Sequence, residues 1–158
     1  MPFGDFSTPL LTAIWTVVAG IATAIIPVLS AELFVIFLGT VSARRALPML
    51  IVLFTVAHML GKTVLYFAGR LADRLPEGWL KHRVDRARPW ISRHDRVGGA
   101  MLLTSGLLGF PPFYFVTIAS GVVRMRFATF FAAGLTGRLA RFALIAAFPQ
   151  FIKASLGR

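Results

Sequence analysis

The stretch GFPPFYFVTIASG, residues 109–121, places two consecutive prolines inside an apolar run that is long enough to cross a bilayer. Proline removes a backbone N–H donor and clashes with the preceding helical turn, so Pro111 and Pro112 should break any helix at this point. In lipid, a broken backbone is tolerated only where protein or a water-filled cavity surrounds it, because its polar groups otherwise lack hydrogen bonds. The stretch is therefore predicted to be the tip of a re-entrant hairpin, residues 98–123, that enters and leaves the membrane on one side.

The composition is typical of an integral membrane protein. Of the 158 residues, 57% are hydrophobic and 15% are charged, with a mean hydropathy of +0.77, whereas a soluble domain has about 25% charged residues. The net charge is +11. In such an apolar chain this excess favours anionic lipid headgroups, or a phosphate-bearing substrate, over nucleic acid as the partner. Cysteine is absent and the three histidines lack metal-ligand spacing, so no metal site and no cofactor are expected.

The apolar blocks divide the chain into two similar halves. Each half begins with a proline-broken hairpin, at about residues 9–42 with the break at Pro27, and at residues 98–123. Each hairpin is followed by basic residues and then by a segment long enough to span, residues 46–69 and 127–149. As an alternative, residues 9–27 could cross the bilayer completely. The two spanning segments share a pattern of glycine, cation, three residues and an aromatic residue: Gly61-Lys62-x-x-x-Tyr66 and Gly137-Arg138-x-x-x-Phe142.

Lysine and arginine are distributed unevenly over the connecting segments, and this bias predicts the orientation in the membrane. The linker at residues 70–97 holds eight of them and is placed in the cytoplasm, together with Arg124 and Arg126. The two hairpins then enter from opposite faces, so the predicted fold is an all-α inverted repeat, an arrangement that points to a transport site. The linker is either a plain positive loop or a basic amphipathic helix at the headgroup level. The helical alternative rests on four apolar residues at helical spacing: Leu80, Val84, Ala87 and Ile91.

Three cations at membrane depth are the strongest candidates for a binding site. A charge at the bilayer centre costs at least about 2.5–3.5 kcal/mol and usually faces a cavity or a partner. Arg138 and Arg141 lie one turn apart on one helical face, and a guanidinium group binds phosphate in a forked geometry. Lys62 is the equivalent residue in the first half. The three are predicted to attract a phosphate-bearing headgroup into a central cavity. The alternatives are snorkelling for Lys62, and for the arginines structural pairing with Glu32 or with the free carbonyls of a broken hairpin.

Two other ionisable residues lie within the apolar blocks. Glu32 follows the first break, where Ser30 can cap the returning helix and an acidic residue in the first turn favours the helix dipole. Glu32 is alternatively the acidic partner of the cationic cluster, or a carboxylate coupled to proton movement. His58 lies one turn before Lys62 and is expected to be a hydrogen-bonded histidine. No nucleophile paired with a base, glycine-rich phosphate loop or acidic dyad occurs, so no enzymatic activity and no catalytic residue are predicted.

Three motifs, in order and spacing, resemble the DedA / SNARE-associated (VTT-domain) membrane proteins. The resemblance covers roughly residues 20–145, and this chain would be a compact member of the family. In one respect it departs from that family: many larger members carry arginines in the second hairpin, where Leu107 and Phe113 stand here. Arg124, Arg138 and Arg141 are the candidates to replace them. The motifs are Pro27-x4-Glu32-x6-Gly39, then Gly61-x4-Tyr66-x2-Gly69-Arg70, then Ala119-x-Gly121-x-x-Arg124-Met125 with Phe130.

The resemblance implies a fold of two oppositely oriented re-entrant hairpins packed with membrane helices. It also implies a function, the movement of undecaprenyl phosphate or phospholipids between leaflets. We therefore expect a single membrane domain, residues 1–158, acting as a lipid translocase in the cytoplasmic (inner) membrane of a prokaryote. Its partner would be an anionic or phosphate-bearing lipid, and it could form homo-oligomers. Two alternatives stay open: a transporter of small ions or solutes, and a non-transporting membrane adaptor whose basic linker binds anionic lipid or another protein.

Overall fold

Residues 9–71 and 95–156 are described by the computed structural model of the chain, with side chains described for residues 10–71 and 97–149. Within these ranges every regular element is helical and no strand occurs, which confirms the all-α prediction for this part of the chain. The linker helix considered above lies outside the described residues. The six helices are α1 (Pro9–Ile25), α2 (Ala31–Val41), α3 (Leu47–Arg70), α4 (Asp95–Leu108), α5 (Phe113–Val122) and α6 (Phe127–Leu156).

Two of these helices, α3 and α6, are long and apolar enough to cross a membrane. The apolar span is Leu47–Arg70 in α3, 24 residues, and Phe127–Pro149 in α6, 23 residues. These helices overlap the segments predicted to span, residues 46–69 and 127–149. Helix α6 continues through Pro149 to Leu156, because neighbouring groups can replace the one hydrogen bond that a proline removes from a membrane helix. The other four described helices have apolar stretches of 10–17 residues, shorter than the about 20 residues that a straight crossing needs.

Both proline sites separate two helices that pack against each other. The residues between α1 and α2 include Pro27, and α2 begins after Ser30, whose side-chain oxygen accepts a hydrogen bond from the backbone N–H of Leu33 at 3.3 Å. Helix α4 ends just before Gly109, whose φ of +81° lies in the left-handed region that favours glycine, and α5 begins after Pro112. Helices α1 and α2 are in contact, as are α4 and α5. Each half of the chain therefore contains a helical pair broken at its prolines.

The chain divides into two compact units: Met1–Gly61 with Phe142–Arg158, and Lys62–Arg141. In the first unit the core is aromatic. The ring centroid of Phe54 lies 5.2 Å from those of Phe34 and Phe142. The ring of His58, 1% exposed, meets the edge of Phe142, and its Nδ1 lies 3.3 Å from the hydroxyl of Thr23. His58 is thus held by packing and a hydroxyl, as expected for a hydrogen-bonded histidine.

Small residues allow helices of the first unit to approach closely. An added Cβ on Gly61 would lie 2.6 Å from the Cβ of Ala24, and one on Gly20 would lie 2.8 Å from the Cβ of Ala57. Gly39 faces the carbonyl oxygen of Ala146, which an added Cβ would approach to 2.8 Å. These distances are shorter than carbon side chains allow. The helix pairs α1–α3 and α2–α6 are therefore packed at glycines in this unit.

In the second unit, α3 and α5 cross with their backbones in contact. A Cβ on Gly121 would overlap the carbonyl oxygen of Tyr66, and a Cβ on Gly69 would overlap that of Ile118. Gly137 plays the same role between α6 and α4, where a Cβ would lie 2.7 Å from the carbonyl oxygen of Leu103. The glycines of the sequence motifs are thus the residues that permit the close helix crossings.

Tyr66 connects the crossing of α3 and α5 to the start of α6. Its side chain is fully buried, its ring stacks on Phe130 with centroids 4.6 Å apart, and its hydroxyl donates a hydrogen bond to the carbonyl oxygen of Met125. The polar end of the ring satisfies a backbone group between α5 and α6, while its apolar body fills the core. Tyr66 of the second motif therefore lies next to Gly121, Met125 and Phe130 of the third motif in space.

We predict that Gly121→Ala destabilises the protein by about 1–3 kcal/mol, because the added methyl group forces α5 away from the backbone of α3. Thermal unfolding of the purified protein in detergent measures this loss. Ala119→Leu is the matched control: it adds a larger group to an exposed position of the same helix and should change stability by less than about 0.5 kcal/mol. Equal losses for the two variants would contradict the close crossing.

Candidate functional site

Two of the predicted cations are buried in the second unit. Lys62 lies on α3 and is 3% exposed, and Arg138 lies on α6 and is 7% exposed. Lys and Arg are rarely buried to this degree, because removing a charge from water is costly unless other groups compensate. The groups around these two side chains therefore define the candidate site.

The rings at the start of α5 supply part of that compensation. The Lys62 Nζ lies 4.8 Å from the ring centroid of Tyr114, and the Arg138 Cζ lies 4.5 Å from that of Phe113. A desolvated cation over an aromatic ring is stabilised by about 2 kcal/mol. Because Phe113 and Tyr114 are consecutive and directly follow the double proline, one helical turn holds both cations. We call Lys62, Arg138, Phe113 and Tyr114 the buried cationic centre.

The first turn of α5 adds positive potential at the same place. The N-terminus of a helix carries about half a positive charge on its unsatisfied N–H groups. The residue that precedes α5, Pro112, makes no side-chain hydrogen bond to them. The hydroxyl groups of Thr117 and Ser120 in α5 do not reach these N–H groups either. They donate to carbonyl oxygens of their own helix at 2.8 and 2.7 Å. The buried cationic centre is thus a helix N-terminus flanked by two cations, a combination suited to an anion.

Arg141 lies at the break itself rather than in this centre. It is half-buried, and its Nη1 donates a hydrogen bond to the carbonyl oxygen of Leu107 at 3.1 Å, at the end of α4. A Cβ added to Gly109 would lie 2.9 Å from the same nitrogen. Arg141 therefore binds a carbonyl of the broken hairpin, which is the structural alternative that the sequence left open for it.

Ser105 binds the other side of the break. The sequence did not identify this residue. Its buried hydroxyl donates a hydrogen bond to the carbonyl oxygen of Pro111. The sequence feature that could have identified Ser105 is its position, about one turn before the end of α4 in an otherwise apolar stretch. Together, Ser105 and Arg141 satisfy carbonyls on both sides of the turn with protein groups, as the prediction of a shielded break requires.

Glu32 lies in the first unit, in the first turn of α2. It is half-buried, and one of its carboxylate oxygens lies 3.4 Å from the hydroxyl of Ser30, the residue that caps this helix. The capping geometry predicted for this turn is therefore present. The pairing of Glu32 with the cationic cluster, and its coupling to protons, stay predictions.

Arg124 ends α5 in an unusual conformation. Its φ is +56°, in the left-handed region where glycine is the usual residue. Its N–H donates to the carbonyl oxygen of Gly121 at 2.9 Å, and the N–H of Met125 donates to that of Ser120 at 3.0 Å. These two bonds form a Schellman motif with arginine at the position after the cap. The side chain is exposed, so Arg124 lies away from the buried cationic centre, at the opposite end of α5.

The described part of the chain is all-helical, with two helices long enough to span a membrane and a buried cationic centre. This architecture is that of a membrane protein. A family model of the VTT domain matches residues 5–150, so the chain belongs to the VTT-domain family, the domain of the DedA / SNARE-associated proteins. The resemblance inferred from the motifs is confirmed. Comparisons with curated proteins and with solved structures found no match.

We predict that Arg124→Gly stabilises the protein by about 0.5–1 kcal/mol, because glycine adopts a positive φ without the steric cost that an L side chain meets. Thermal unfolding in detergent measures the gain. Arg126→Gly is the control, since it removes the same exposed side chain two residues later, where φ is not positive. That variant should lose stability through the greater freedom of its unfolded chain. A loss at both positions would contradict the Schellman geometry.

Proposed function

We propose that this protein moves a lipid with a phosphate-bearing headgroup, such as undecaprenyl phosphate or a phospholipid, between the leaflets of a prokaryotic cytoplasmic membrane. The observation that carries the proposal is the buried cationic centre. Lys62 and Arg138 are both less than one-tenth exposed and meet consecutive rings at the N-terminus of α5. Family membership supports a membrane role, and the centre supplies the chemistry of the transported group.

Charge balance favours an anion at this centre. Two cations and about half a charge from the helix N-terminus repel one another in a place of low dielectric constant. The two rings offset only part of that cost. Among the described side chains, Glu32 is the single carboxylate against eight Lys and Arg, and residues 97–158 contain no Asp or Glu. A passing phosphate group would bring negative charge to these two buried cations and would be stabilised by charge-assisted hydrogen bonds.

The position of the centre suits passage across a membrane. The two proline-broken helix pairs would be re-entrant hairpins that enter from opposite faces, as the lysine and arginine bias indicates. The tip of the second hairpin carries Phe113 and Tyr114, so the centre would lie at membrane depth. A headgroup that leaves one leaflet would meet positive charge and polar backbone there instead of hydrocarbon. In this proposal Arg141 supports the hairpin through Leu107, and Glu32 adjusts the charge of the pathway.

We predict that Lys62→Gln/Arg138→Gln slows lipid movement by about tenfold or more, since each lost charge-assisted hydrogen bond to the phosphate corresponds to about 1.5–3 kcal/mol. The measurement uses proteoliposomes that contain a fluorescent phospholipid or a labelled polyprenyl phosphate, with a membrane-impermeant quencher reporting the outer leaflet. Arg138→Lys keeps the charge and should retain most of the rate, which separates loss of charge from loss of fold.

Arg44→Gln/Arg45→Gln is the matched control for this experiment. It removes two positive charges from exposed residues of the turn between α2 and α3, in the first unit, and should leave the rate unchanged within about twofold. Wild-type flipping by Lys62→Gln/Arg138→Gln would refute the site assignment. Solute flux without lipid flipping would favour the ion or solute transporter. Loss of function only on charge reversal in residues 70–96 would favour the adaptor.

A further inference from the structure

The chain contains two tyrosines, and their hydroxyl groups have different surroundings. Tyr66 is fully buried, and its hydroxyl donates a hydrogen bond to the carbonyl oxygen of Met125. Tyr114 is half-buried, and its hydroxyl makes no hydrogen bond within residues 10–71 and 97–149. Packing inside the protein thus accounts for the first hydroxyl group, whereas contacts within these ranges do not account for the second.

The ring of Tyr114 has a buried cation on its face and an exposed ring beside it. The Lys62 Nζ lies over the ring, 4.8 Å from its centroid. The ring of Phe115 meets it at 90°, with centroids 5.9 Å apart, and is 67% exposed. Tyr114 therefore links the buried ammonium group of Lys62 to the exposed side of α5.

The hydroxyl of Tyr114 and the ammonium group of Lys62 are placed to share one acceptor atom. The phenolic oxygen lies at the edge of the ring, so a cation over the ring face is separated from it by about twice the length of an O–H···O hydrogen bond. An oxygen atom between the two groups would accept a hydrogen bond from each. Because an ammonium group has three N–H donors, Lys62 can bind such an atom while it keeps its other contacts.

The backbone at the start of α5 adds donors near the same position. The residues before the helix are prolines without an N–H group, so its first N–H donors belong to Phe113 and Tyr114. The N–H groups of the next two residues donate to the carbonyl oxygen of Pro112 at 3.0 and 3.4 Å. Side chains of a helix lean toward its N-terminus, which brings the ring of Tyr114 to the end at which the first N–H groups point. Groups of this kind bind anions at helix N-termini.

We propose that the Tyr114 hydroxyl and the Lys62 ammonium group bind the same phosphate oxygen of the lipid headgroup at the N-terminus of α5. The ligand is the phosphate-bearing lipid of the proposed function, on which this assignment rests. Tyr114 then has two separate roles, since its ring stabilises Lys62 and its hydroxyl binds the headgroup. Phe113 has no hydroxyl, so of the two rings only that of Tyr114 brings a donor.

Tyr114→Phe tests the hydroxyl alone, because it keeps the ring over Lys62 and changes no charge. The full chain is purified in detergent, and binding of hexyl phosphate, a soluble alkyl phosphate, is measured by the shift of the unfolding temperature. The variant should raise the apparent Kd by about fivefold or more. An equal Kd for variant and wild type would overturn the proposal. Inorganic phosphate that binds as tightly as hexyl phosphate, with the same loss in the variant, would assign Tyr114 to the free ion and overturn the headgroup assignment.

Tyr66→Phe is the matched control for the loss of a tyrosine hydroxyl. It removes the donor to Met125 and should lower the unfolding temperature of the unliganded protein by several degrees. Tyr114→Phe should leave that temperature unchanged within about 1 °C. A fall as large as that of Tyr66→Phe would show that the Tyr114 hydroxyl is bonded inside the protein, and would overturn its role in binding.

A double-mutant cycle with Lys62→Gln tests the shared oxygen. If both groups bind one atom, Tyr114→Phe should weaken hexyl phosphate binding by less than about twofold once Lys62 is replaced. The same loss in both backgrounds would mean two independent contacts and overturn the shared oxygen.

Lipid movement in proteoliposomes separates this assignment from the proposed function. Wild-type flipping together with an unchanged Kd in Tyr114→Phe would overturn the role of Tyr114 alone. A raised Kd in Tyr114→Phe, with no flipping by the wild-type protein, would support the role of Tyr114 in binding and overturn the translocase.

Discussion

The second hairpin depends on one constraint: the backbone around Pro111 and Pro112 must be hydrogen-bonded inside the protein. Ser105 donates to the carbonyl of Pro111, and Arg141 donates to that of Leu107. With both carbonyls satisfied, α5 can begin directly after the prolines. Its first two residues, Phe113 and Tyr114, then contact Arg138 and Lys62. The buried cationic centre is therefore a consequence of how the break is closed, which explains why an apolar segment carries two prolines.

Helix α5 runs from this centre to the turn at Arg124, and glycine contacts fix its position. Gly121 and Gly69 allow the backbone of α5 to touch that of α3. Tyr66 adds a stacked ring and a hydrogen bond to Met125. A change at this crossing should move both ends of a helix that has only ten residues. The motif glycines thus matter because they set the position of the helix whose first two rings meet Lys62 and Arg138.

The sequence alone predicts local features such as helix breaks and caps. It does not predict which side chains contact each other across helices. Proline chemistry predicts the breaks at Pro27 and Pro111, capping preference predicts the cap at Ser30, and length predicts the two long apolar helices. The rings that meet Lys62 and Arg138 could not be predicted, because the residues of α6 do not divide into one apolar and one polar face, and periodicity then does not show which side faces a neighbour. The left-handed φ of Arg124 was hidden for a similar reason, since glycine is the residue that signals it.

The departure from the family pattern concerns two positions that lie beside arginines of α6. Leu107 and Phe113 stand where the resemblance leads one to expect arginines. Arg141 donates a hydrogen bond to the backbone carbonyl of Leu107, and Arg138 lies over the ring of Phe113. Helix α6 thus supplies positive charge to the hairpin that lacks its own. Since α5 rises about 1.5 Å per residue, its ten residues separate the buried cationic centre from the turn at Arg124 by about 15 Å. That is about half the thickness of the hydrocarbon core.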